Sequence, residues 1–97
     1  MSKYEIALVV SVKLEDEDRA AVVEKVKGFV ERYQGTVTKV DDKGKLKLAY
    51  EIQKMSEAYY YFIYFESDNS DCPNDLEKEL RIMDNVIRYL VVKEDEE

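Results

Sequence analysis

The chain has 97 residues, 45% of them hydrophobic, with 15 basic and 22 acidic side chains and a formal net charge of −7. That length fits one small domain with one core. Its apolar stretches of about ten residues at most fall short of the roughly 20 that span a bilayer, and no basic-then-apolar leader opens it, so a soluble cytoplasmic protein is expected.

A single cysteine, Cys72, and the absence of histidine rule out an internal disulfide and leave no transition-metal donor set, so neither a metal nor a cofactor is expected. The acidity is local. Glu15 to Asp18 form one block and Glu94 to Glu97 another, and without these eight charges the chain stands at about +1. The first block falls where a helix begins, so its carboxylates meet the positive end of the macrodipole. The second reads as a solvated acidic C-terminal tail over residues 94–97.

Tyr4, Ile6, Leu8, Val10 and Val12 alternate with Glu5, Ala7, Val9, Ser11 and Lys13, a period of two that predicts a strand. From Asp16 to Tyr33 the period lengthens: Ala20, Val23, Val26, Val30 and Tyr33 recur at three- and four-residue spacing with Phe29 beside them, predicting a long amphipathic helix. Gly35 follows, where a helix C-terminal cap takes positive φ, and Gly28 inside the helix costs about 1 kcal/mol relative to alanine unless close packing requires it.

Thr36 to Val40 is strand-like, Asp41-Asp42-Lys43-Gly44 predicts a turn or bulge, and Lys45 to Ile52 resumes extended alternation. Gln53 to Ala58 connects this to Tyr59–Glu66, the strongest strand candidate because aromatic and β-branched side chains suit a pleated surface. Ser67 to Asn74 is polar loop. Pro73 opens a shorter helix carrying Leu76, Leu80 and Met83, and Val86 to Val92, interrupted by Arg88, reads as a last strand.

Strand, helix, strand, strand, helix, strand contains two right-handed crossovers. Interleaving them gives an α+β ferredoxin-like βαββαβ sandwich over residues 1–93: a four-stranded antiparallel sheet with both helices on one face. The opposite face is then left without a covering layer. On the aromatic strand, Tyr59, Tyr61, Ile63 and Phe65 share one side and Tyr60, Phe62 and Tyr64 the other. The second set is expected on the open face, as an apolar patch for a partner or as a plain cover over the sheet.

Lys45 and Lys47 project from one side of their strand, Arg88 interrupts the last strand, and Lys3 and Lys93 flank the sheet. Such cations suit a phosphate backbone as a set, although each alone equally suits a solvated or edge-protecting role. Catalysis is not expected: no histidine, paired acids, nucleophile-base arrangement or glycine-rich phosphate loop is present.

Lys3-Tyr4-Glu5-Ile6, Gly35-Thr36-Val37, the Gly44–Ile52 segment and Arg81-Ile82-Met83-Asp84-Asn85-Val86-Ile87-Arg88-Tyr89-Leu90-Val91-Val92-Lys93, in that order over nearly the whole chain, resemble the bacterial small-subunit ribosomal protein family S6. The resemblance implies the same fold and a structural role: a protein that is a monomer when free and binds the central domain of small-subunit ribosomal RNA together with ribosomal protein S18. It makes Lys3, Lys45, Lys47, Arg81, Arg88 and Lys93 the RNA-contact candidates and Tyr60, Phe62 and Tyr64 the protein-contact candidates.

Three positions depart from the family pattern: Lys43 where tryptophan is common, Leu46 where arginine or lysine is common, and Ala58 where glycine is usual. A second reading is therefore a redesigned ferredoxin-like scaffold with weak or no RNA binding. A third, single-strand RNA on the aromatic face, lacks the glycine-aromatic signatures of RNA-recognition motifs.

Overall fold

The computed structural model describes residues 2–52, 55–83 and 85–94. Its elements are β1 (Ser2–Ser11), α1 (Asp16–Arg32), β2 (Gly35–Ile52), β3 (Met55–Ser67), α2 (Cys72–Arg81) and β4 (Val86–Lys93). The strands form one sheet in the order β2-β3-β1-β4 with every neighbouring pair antiparallel. Each crossover skips one strand, which is the ferredoxin-like α+β arrangement.

The core lies between sheet and helices. Ile6, Leu8 and Val10 of β1, Ile63 and Phe65 of β3, Val26 and Val30 of α1, and Leu76 and Leu80 of α2 are all buried there. Tyr4 stacks on Phe65 with ring centroids 5.1 Å apart. The expected strand boundary shifts slightly: β1 ends at Ser11, and Val12 falls in the following turn, where the Lys13 N–H donates to Ser11 Oγ at 3.2 Å.

Asp16, Glu17 and Asp18 occupy the first turn of α1, as the macrodipole favours. The buried stripe of α1 is Val22, Val26 and Val30, which corrects the expected register at its start: Ala20 is exposed and Val23 only half-buried. Within Ala20-Ala21-Val22-Val23 adjacent residues are equally apolar, so only docking on the sheet selects the stripe.

Gly35 also serves a different purpose from the one expected. The positive φ at the end of the helix falls on Gln34, at 71°, and Gly35 opens β2. A Cβ on Gly35 would stand 2.7 Å from Val30 Cγ1 and 3.2 Å from Phe65 Cδ2. Close approach of helix, strand and ring is what excludes a side chain there. Next to it, Ser67 Oγ donates to the Gln34 carbonyl at 3.0 Å and accepts from the Asn69 N–H at 3.0 Å, so the only buried polar side chain recorded among the described residues is satisfied.

β2 is one strand of 18 residues whose ladder to β3 is irregular at three places, the last between Lys47 and Ile52. Its ladder to β3 slips between Val37 and Lys39 and again between Asp42 and Gly44. At the second slip Gly44 takes φ 74° and its N–H donates to Asp42 Oδ1 at 2.8 Å, so the expected turn-or-bulge is a bulge. β3 already begins at Met55, so the connection expected over Gln53 to Ala58 is mostly strand; Gln53 and Lys54 lie outside the described residues. At the chain's end the Glu94 N–H donates to the Lys3 carbonyl at 2.8 Å, and the rest of the acidic tail, Asp95 to Glu97, lies outside the described residues.

Candidate nucleic-acid and partner interface

The side chains of β3 divide as its alternation dictates. Tyr61, Ile63 and Phe65 are buried beneath the helices, whereas Tyr60, Phe62 and Tyr64 are half-buried on the uncovered face. Residues directly opposite in an antiparallel ladder share a face, and this extends the surface across the sheet. Val9 and Arg88 stand in the row of Tyr60, Ala7 and Leu90 in the row of Phe62, and Glu5 and Val92 in the row of Tyr64. Leu90 is 59% exposed and Val92 39% exposed. The aromatic ladder therefore continues into an aliphatic strip that reaches the β4 edge, and the sequence reading did not include that strip.

The bulges of β2 bring two further lysines to this face. Lys39 pairs with Tyr64 across the ladder and its Nζ lies 5.9 Å from that ring centroid; Lys43 Nζ lies 6.0 Å from the Phe62 centroid. Lys43 also pairs with Asp41 Oδ2 at 2.9 Å. That bond holds the Asp41 carboxyl below its usual range and the Lys43 ammonium above its own, while desolvation on the sheet pushes the Tyr64 phenol up. Lys43 stood out in the sequence only as a departure from the family pattern and Lys39 not at all; their place on this face was hidden because a bulge inserts one residue and inverts the alternation beyond it.

The six cations singled out from the sequence are all exposed but do not form one cluster. β1, β3 and β4 pair over their length, and the β2–β3 hairpin runs on past the Ser11 end of β1, where Ser11 pairs Ala58 and Ala58 pairs Leu46. Lys45 and Lys47, opposite Tyr59 and Glu57, lie at that end. So do Arg81, last residue of α2, and Arg88, opposite Val9 near the start of β4. Lys3 and Lys93 lie at the opposite end, opposite Glu66 and Tyr4 respectively. Of the departing positions, Lys43 caps Phe62, Leu46 is 43% exposed beside the Lys45–Lys47 pair, and Ala58 is fully buried.

The remaining reactive groups are structural. Cys72 is buried at the start of α2, and desolvation pushes its thiol up despite a hydrogen bond with Ser67, the reverse of what a reactive thiolate needs. Arg19 lies over the Tyr59 ring at 3.6 Å, donates to the Leu14 carbonyl at 2.7 Å and pairs with Asp16, pinning the turn after β1 to β3. Among the described residues no cluster of three or more His, Cys, Asp or Glu side chains has metal-holding geometry.

A protein-family model described as Ribosomal protein S6 matches residues 3–93. Small ribosomal subunit protein bS6 of Clostridium perfringens is 44% identical over 96 residues, covering 99% of this chain and all of the relative. The bS6 protein of Clostridium botulinum is 42% identical over 95 residues, covering 98% of this chain and all of its own. Among solved structures, the crystal structure of 30S ribosomal protein S6 from Thermotoga maritima superposes with a TM-score of 0.89 at 31% identity, over 96% of this chain and 87% of that one.

Proposed function

The chain belongs to the ribosomal protein S6 family, and from that premise we propose that it binds the central domain of small-subunit ribosomal RNA jointly with ribosomal protein S18 and is a monomer when free. As a member of that family it is a structural, non-enzymatic component of the small ribosomal subunit in the cytoplasm. In this reading residues 1–93 act as one binding unit, and the acids at 94–97 stand outside it.

The observation that carries the proposal is the uncovered sheet face. Tyr60, Phe62 and Tyr64, continued by Leu90 and Val92, offer an apolar strip of the kind that proteins bury against a partner. At one end of the sheet Arg88 on the strip's own face, and Lys45, Lys47 and Arg81 on the helix side, bring four cations to the projecting hairpin and the neighbouring strand and helix ends, and this end is assigned to phosphate contact. Lys3 and Lys93, at the far end, are assigned to a separate, smaller contact with RNA.

A central-domain RNA fragment tested by filter binding should retain the chain tightly only when S18 is present. Six phosphate contacts predict a log-log salt slope of about −5. Equal retention with and without S18, or a slope near zero, refutes the joint-binding reading.

A further inference from the structure

The helix layer carries a second surface, away from the sheet face assigned to the ribosome. α1 has 17 residues and α2 has 10, so at 1.5 Å per residue α2 is about 10 Å shorter and leaves one flank of α1 uncovered. Asp18, Ala21, Val22, Lys25 and Phe29, spaced as one helical stripe, line that flank. Ile82 and Met83 at the end of α2 form the opposite wall of a groove of about 580 Å³.

The groove has a closed end and an open one. Tyr33 Oη donates to Glu79 Oε1 at 2.8 Å and ties the end of α1 to α2, whereas Leu14 and Asn85 line the groove where β1 and β4 meet the helices. Ile82 is 73% exposed, the highest value among the exposed large hydrophobic side chains, and is not part of the buried core. Asp18 to Phe29 spans about 16 Å of α1, room for about three turns of another helix.

Charge selects among occupants. Asp18 and Glu79 line the groove with Lys25 as the one cation of its lining. Glu15 and Glu17 adjoin Leu14 at its open end, where Arg19 neutralises Asp16, and Arg81 adjoins Ile82, so acids still outnumber bases around it. An acidic rim repels a phosphate backbone. A second copy of a chain with net charge −7 would set two such rims against each other. We infer that this groove docks a basic amphipathic helix of another protein, its apolar stripe on Ile82, Phe29 and Ala21 and its lysines or arginines over Asp18 and Glu79. The groove lies on the helix layer away from the aromatic sheet face, and only Arg81, assigned to RNA, adjoins it at Ile82.

The test is a titration of the isotope-labelled full chain with a synthetic helical peptide of about three turns, leucine at i, i+4, i+7 spacing and lysine elsewhere. Saturable amide shifts at Leu14, Ala21, Phe29, Ile82 and Met83 are expected, with little change on β3. Ile82→Ser should weaken binding about tenfold at an unchanged thermal midpoint, and Ala21→Arg, at an exposed helical site, should do the same by filling the groove. A glutamate-for-lysine peptide should not bind. Shifts confined to the sheet face, equal binding of the acidic peptide, indifference to both substitutions, or dimerisation of the free chain through these residues overturns the inference.

Discussion

Substituting alanine at Gly35 and at Gly28 should move stability in opposite directions. At Gly35 the new methyl meets Val30 Cγ1 at 2.7 Å, the Val30 carbonyl at 3.1 Å and Phe65 Cδ2 at 3.2 Å. Val30 and Phe65 are themselves 0% and 1% exposed, so neither has room to yield, and overpacking of this kind costs about 1–3 kcal/mol. At about 2 kcal/mol a domain of this size loses roughly 8–16 °C in Tm. Gly28 is exposed in the middle of α1, and a Cβ there meets nothing within 4 Å. Alanine should therefore stabilise by about 0.5–1 kcal/mol through helix propensity and a less free unfolded chain. Urea unfolding followed by circular dichroism reads both. A Gly35→Ala chain as stable as the parent, or a Gly28→Ala chain less stable, each with an unchanged m-value, refutes the packing argument at that glycine.

Three further outcomes follow from particular groups. Cys72 and Tyr33 both have folded-state pKa values above their ordinary ones, Cys72 through burial and Tyr33 chiefly through its bond to Glu79. The stability they contribute is complete below the unfolded values, about 8.5 for the thiol and 10 for the phenol, and declines as pH rises past them. Urea midpoints measured across that range should fall, and Cys72→Ala should delay the onset; a midpoint that rises with pH contradicts the assignment. Phe65→Ala should cost about 3–5 kcal/mol because the ring is fully buried, whereas Phe62→Ala should cost far less in unfolding assays yet weaken S18-dependent RNA retention. Comparable unfolding losses for the two would contradict the two-sided reading of β3. Lys45→Glu with Lys47→Glu should weaken RNA retention and make its salt slope shallower by about 2, with Tm nearly unchanged; an unaltered slope removes the hairpin from the RNA contact.

The strand and helix order was legible because the dominant signals are local. β1 alternates in its main row, Tyr4, Ile6, Leu8 and Val10, which marks its core face, and the length and β-propensity of Tyr59–Phe65 mark β3 as a strand, its core side following from Ile63 and Phe65 matching that row. What stayed hidden depends on contacts between elements. The core stripe of α1 begins at Val22, not Ala20, because four consecutive small apolar residues carry no register of their own. Gly35 looked like a cap, whereas the Val30 and Phe65 side chains above it are what demand a glycine. In β2 the two bulges change which side chains share a face, so Lys39 and Lys43 joined the aromatic rows unforeseen. The cations near the hairpin were individually visible, but their separation from Lys3 and Lys93 follows only from the strand order. Leu90 and Val92 belong to a nearly continuous apolar run that does not tell an open face from a covered one, and their exposure reflects the position of β4 at the sheet edge.

The central claim is association with the small ribosomal subunit, and sedimentation tests it most directly. Tagged chain mixed with small subunits depleted of their own S6 should co-sediment with them, compete with added S6 for the same position, and dissociate as salt is raised. A chain that remains at the top of the gradient at low salt, folded and monomeric, contradicts the account and leaves a ferredoxin-like scaffold without ribosomal binding.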